Sequence, residues 1–75
     1  MPDVVIQRMV CGLREHRERL GLSQNEVARR AGLSHTMVMR VEKQERMPTI
    51  DTLLRICAAL DIELWRLVKT ASTPP

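Results

Sequence analysis

The chain has 75 residues, 12 Lys and Arg against 9 Asp and Glu, and one tryptophan with no Phe or Tyr. That length allows one domain with a modest core. The shortage of aromatic rings argues against single-stranded nucleic acid, which is usually gripped by stacking. The apolar run Val4-Val5-Ile6 is short and is interrupted by Arg8, so neither a signal peptide nor a membrane span is expected, and the protein reads as cytoplasmic.

Helical punctuation runs the length of the chain and strand signals are absent, so five helices are expected. The first runs from about Pro2 to Arg19. Ile6, Met9, Val10, Leu13, Arg17 and Leu20 fall near one stripe, and Gly21 is placed to end it. The second runs from Ser23 to near Ala31. Ser23-Gln24-Asn25-Glu26 has the form of a capping box, and Gly32 closes the helix. The third is capped by Ser34, reaches about Lys43, and turns Val38 and Val41 inward.

The fourth follows Pro48 with Thr49 as cap, and Ile50, Leu53, Ile56, Cys57 and Leu60 form its apolar face. The fifth is short, about Glu63 to Val68, with Leu64, Leu67 and Val68 inward and Trp65 outward. Residues 1–70 are expected to form the domain and 71–75 a disordered tail. Only Gly32 and Leu33 separate the second helix from the cap of the third. So short a link forces a steep crossing, with Ala28 small enough for close approach and Gly32 free to take a positive φ.

Chemistry-bearing clusters are few. Cys11 and Cys57 lie far apart, and His16 and His35 do not complete a zinc set, so no metal or other cofactor is expected. Both cysteines read as small buried apolar groups, with a disulfide as the alternative. No catalytic constellation or glycine-rich phosphate loop is present, which argues against an enzyme, and no small-molecule ligand is expected. The net charge of +3 is confined to residues 29–46, where Arg29, Arg30, Arg40, Lys43 and Arg46 face only Glu42 and Glu45. A locally basic face on a neutral body suits duplex DNA.

The segment Gly21-Leu-Ser-Gln-Asn-Glu-Val-Ala-Arg-Arg-Ala-Gly-Leu-Ser34 resembles the helix-turn-helix of Cro and the phage repressors, the XRE family. The similarity continues through Arg40-Val41-Glu42, Pro48-Thr49, Leu53-Leu54 and Ile56. It implies an all-α, five-helix phage-repressor-like domain. This would be a transcriptional regulator binding double-stranded DNA, with its third helix in the major groove and its second across the backbone. On that resemblance His35, Thr36, Met39 and Arg40 occupy base-reading positions. Histidine and arginine can donate to guanine, and the threonine methyl can meet a thymine methyl.

Gln24, Ser34, Lys43 and Arg46 match phosphate-binding positions. Gln24 would also brace the third helix, and Ser34 would cap it. Arg17 and Glu42 stand where the family carries a partly buried ion pair. Two departures stand out. Gln44 falls where the family often has a left-handed glycine, and Trp65 replaces a commonly polar residue. An outward Trp65 beside Ile62 or the ends of the fourth helix suggests a homodimer through the fourth and fifth helices, with the N-terminal extension as a further candidate, reading a palindromic operator. The Glu42–Glu45 region is a candidate contact for RNA polymerase. The alternatives are an antitoxin of a toxin–antitoxin pair and a protein-interaction module without DNA binding.

Overall fold

The computed structural model describes residues 4–73 as five helices, with no strand among them: α1 (Val4–Arg19), α2 (Gln24–Ala31), α3 (His35–Glu42), α4 (Ile50–Ala59) and α5 (Leu64–Ser72). Pro2 and the last two tail residues lie outside the described range. Each of α2, α3 and α4 starts on a side-chain cap. Ser23, Ser34 and Thr49 hold extended backbone and accept from the amides of Glu26, Met37 and Thr52. These hydroxyls satisfy donors that a helix start leaves unpaired, each stabilising by about 1 kcal/mol.

The first four helices end alike. The amides of Leu22, Leu33, Glu45 and Ile62 reach back to the carbonyls of Arg17, Ala28, Arg40 and Cys57. Those of Gly21, Gly32, Gln44 and Asp61 close onto Glu18, Arg29, Val41 and Ala58. This paired pattern requires a left-handed residue just past the helix. Gly21 and Gly32 supply two, and Gln44 at φ 61 and Asp61 at φ 57 supply the others with a Cβ attached.

The core joins Val10 and Leu13 of α1, Val27 and Ala28 of α2, Val38 and Val41 of α3, and Leu53, Ile56, Cys57 and the following Leu60 from α4. α2 packs on α3 and α4, and α1 packs on α3 and α5. A Cβ on Gly12 would stand 3.0 Å from the Leu67 side chain, so a glycine there lets α1 approach α5 closely.

Several expectations are corrected. Leu20 lies past the end of α1 and is exposed. Ile50 opens α4 on the solvent flank at 64 % exposure, and Thr52 is buried in that turn instead. α5 runs on to Ser72 rather than stopping at Val68. Ala71, seven residues after Leu64, is buried, and Arg8 of α1 donates to its carbonyl at 3.4 Å. Residues 71 and 72 are thus helical, and Val68 is exposed. Cys57 is buried, which pushes its thiol pKa up, whereas Cys11 is exposed; both are free thiols.

Candidate nucleic-acid interface

α3 is divided lengthwise. Val38 and Val41 are buried and Met37 packs against the core, whereas His35, Thr36 and Arg40 are exposed and Met39 is half-buried. At 3.6 residues per turn Thr36, Met39, Arg40 and Lys43 share the outer side. Ser34 is exposed at the start of the helix. Its hydroxyl accepts from Met37 at 3.1 Å, beside amides that the first turn leaves without helical partners.

The inner side of α3 is braced by a charged network. The Arg17 guanidinium from α1 donates to both Glu42 oxygens, Nε at 2.7 Å and Nη2 at 2.9 Å, and its Nη1 donates to the Leu22 carbonyl at 2.8 Å. Gln24 of α2 adds Nε2 to the same carboxylate at 2.9 Å. The side chains of Arg17 and Glu42 are only 12 % and 8 % exposed. The hydrogen bonds to Glu42 raise the Arg17 pKa above its ordinary value, despite burial. Three helices therefore meet on one carboxylate. A two-pronged Arg–carboxylate pair fixes orientation as well as distance. No buried side-chain nitrogen or oxygen among the described residues lacks a partner.

The turn is held from α4. Arg55 pairs with Asp51 at 2.9 Å and reaches the Ala31 carbonyl at 3.4 Å. Gly32 sits there at φ 70, and a Cβ on it would come within 3.2 Å of that guanidinium. The sequence reading did not anticipate this contact, because only the fold brings residues 31 and 55 together.

Charge is sorted unevenly. Arg14, Arg17, Arg29, Arg30, Arg55 and Arg66 all have acidic partners. Arg40, Lys43 and Arg46 have none among the described residues, and all three are exposed. Glu42 is committed to Arg17 and Gln24, and Glu45 alone of that pair stays exposed. Sequence reading also missed the role of Glu26. The Ser23 hydroxyl accepts from its amide, but its carboxylate turns away to accept from Arg29 and Arg30. Their spacing of three and four residues was the available signal.

Trp65 is 55 % exposed, with Arg66 over its ring at 5.1 Å and its indole N–H donating to Glu63. Ile62, its expected companion, is half-buried against the core. The large apolar side chains exposed on α4 are instead Ile50 and Leu54, one turn apart. Among the described residues no helix is long and apolar enough to cross a membrane, and no three His, Cys, Asp or Glu side chains gather as a metal site.

A capped, half-exposed helix held across a tight turn by its predecessor is a helix-turn-helix, the architecture of proteins that read duplex DNA with a helix. The chain belongs to the XRE-type helix-turn-helix family of DNA-binding transcriptional regulators, whose family pattern matches residues 13–64. It is 39 % identical over 51 residues to an uncharacterized HTH-type transcriptional regulator of Methanothermobacter thermautotrophicus, covering 68 % of this chain and 74 % of that one. Its fold matches the crystal structure of a point mutant of the restriction-modification controller protein C.Esp1396I. The TM-score is 0.84 at 19 % identity, over 92 % of this chain and 90 % of that one. The family is one of non-enzymatic regulators.

Proposed function

We propose that the protein binds a palindromic operator as a homodimer, with α3 of each protomer in the major groove of a half-site. The observation that carries this reading is the outer side of α3. It joins Thr36 and Arg40 to the unpaired cations Lys43 and Arg46, over a buried brace that fixes the helix orientation. Arg40 is the principal base reader, donating to guanine O6 and N7, and His35, Thr36 and Met39 read neighbouring base edges. Ser34 and the amides of the first turn hold one phosphate, and Lys43 and Arg46 hold others.

Gln24, at the start of α2, braces Glu42 through its Nε2, and its other side meets the DNA backbone. The dimer face uses Ile50 and Leu54 of α4 with Trp65 of α5, and Ile62, half-buried against the core, is left out of it. Exposed apolar stripes of this kind favour a partner surface. The longest extent of the protomer, 32 Å, is close to one DNA turn of roughly 34 Å, so two copies set end to end along that axis can reach successive major grooves.

The test is selection from a random duplex library, followed by fluorescence anisotropy on the enriched duplex and a scrambled one. The expected outcome is an enriched inverted repeat bound at least ~10³-fold more tightly than the scrambled duplex. Arg40→Ala should lose roughly 1–3 kcal/mol and relax preference at one position in each half-site. Failure to enrich any sequence would overturn the reading.

A further inference from the structure

The exposed side of α2 carries a triad that the reading above leaves unused. Glu26 is half-buried, while the side chains of Arg29 and Arg30 are 71 % and 46 % exposed. Arg29 donates to the carboxylate through Nε at 3.1 Å and through Nη2, and Arg30 donates through Nε at 3.0 Å. The two arginines hold the Glu26 carboxyl down to about 2, so it stays ionised wherever the protein is folded and working.

In a helix-turn-helix the helix preceding the recognition helix crosses the phosphate backbone. Two arginines there would add two charges to a binding energy that depends on neutralised phosphates and ignores sequence. A carboxylate about 3 Å from both guanidiniums is far inside the roughly 10 Å over which salt screens charge, so a phosphate meets the triad as a single positive charge. This holds even where an arginine leaves Glu26 for a phosphate, because the carboxylate remains beside the contact. Exposed pairs of this kind contribute little to folding, so stability alone gives the triad a weak rationale.

We infer that Glu26 is a specificity-determining residue that acts by subtraction: by pairing with Arg29 and Arg30 it limits the charge α2 offers to the phosphate backbone and suppresses sequence-independent DNA binding. Base reading stays with α3, where Arg40, like Lys43 and Arg46 just past the helix, carries no such partner among the described residues. A sequence-independent complex gains the full benefit of any added charge, because the protein is free to choose its register. The operator complex gains less, because its register is fixed by α3. The inference rests on the DNA-binding reading.

The experiment measures anisotropy titrations of the full chain and its variants at several salt concentrations, on the selected duplex and on its scrambled counterpart. Glu26→Gln keeps the backbone amide that Ser23 caps and removes only the charge. On the scrambled duplex it is expected to steepen the plot of log affinity against log salt by about 0.9, the value of one further neutralised phosphate. It should also lower the ratio of selected to scrambled affinity. Glu26→Gln with Arg30→Gln restores the charge and should return the slope to that of the unaltered protein. Arg30→Gln alone leaves Glu26 in place and should flatten the slope by about 0.9. Circular dichroism checks that each variant is folded, and Arg30→Gln serves if Glu26→Gln is not.

Unchanged slopes in Glu26→Gln and Arg30→Gln, with the unaltered protein still preferring its selected duplex, would overturn the inference and leave the DNA-binding reading standing. A steeper slope with an unchanged affinity ratio would overturn the specificity role. No duplex binding by the unaltered protein would overturn both.

Discussion

Glu42 shows how much of this protein hangs on single side chains. Its carboxylate accepts from Arg17 and Gln24, so residues of three helices converge on one acceptor pair. Removing one member of a buried pair leaves the other charged and desolvated, at a cost of about 3–5 kcal/mol. A domain this small has a stability toward the lower end of roughly 5–15 kcal/mol, so Glu42→Ala should remove much of it. Urea denaturation reads this directly, and a midpoint within error of the unaltered protein would show the pair to be dispensable. Gln44 makes the opposite prediction. It holds φ 61 with a Cβ, and a left-handed non-glycine residue costs roughly 1–2 kcal/mol. Gln44→Gly should therefore raise the denaturation midpoint by about 1 kcal/mol equivalent with an unchanged m-value, even though the weak contact to the Cys11 sulfur at 3.8 Å is lost. Asp61 at φ 57 should gain less from the same change, because aspartate tolerates this region better.

At the scale of the element, α2 combines a pH-dependent clamp with a structural cap. The ordinary pKa of Glu26, 4.5, falls to about 2 in the fold, first through Arg29 and then through Arg30. A carboxyl whose folded pKa is depressed contributes stability above its unfolded pKa and loses it as the pH falls through the folded one. The difference in melting temperature between the unaltered protein and Glu26→Gln should thus be small, because solvent screens so exposed a group, constant above about pH 4.5, and smaller still between pH 4.5 and 2. A difference that does not change over that window would contradict the clamp. The helix starts were legible in the sequence because a cap is local: Ser23, Ser34 and Thr49 each bond an amide three residues on. The other half of the expected capping box was not formed, because two arginines compete for the Glu26 carboxylate and win it.

For the whole molecule, the proposed assembly and recognition both depend on the same packing. α4 turns Leu53, Ile56 and Cys57 inward and leaves Ile50 and Leu54 in solvent, while α5 presents Trp65. Leu54→Glu should keep the fold, because the side chain is already 51 % exposed. It should also shift sedimentation to the monomer and weaken binding to a palindromic duplex far more than to a single half-site. An unchanged sedimentation coefficient would contradict the proposed dimer face. Arg55 belongs to this scale as well. It ties the turn between α2 and α3 to α4, so the helix proposed to read DNA and the helix proposed to meet a second copy are mechanically joined.

By itself the sequence determined what lies within a few residues along the chain. The number of helices, three of their caps, the positive φ at Gly32 and the one forced on Gln44 all follow from hydrogen bonds closing over three to five residues. The pattern at residues 21–34 was dense enough to carry the family resemblance for the same reason. Tertiary structure alone decided which flank of each amphipathic helix meets the core. That leaves Leu20, Ile50 and Val68 outside, and it keeps the last turn of α5 folded through Arg8 and Ala71, 63 residues apart. It also set the geometry by which Arg17, Gln24 and Glu42 orient α3. Periodicity marks a stripe about a helix, but burial depends on a neighbour from elsewhere in the chain, and only packing supplies that neighbour.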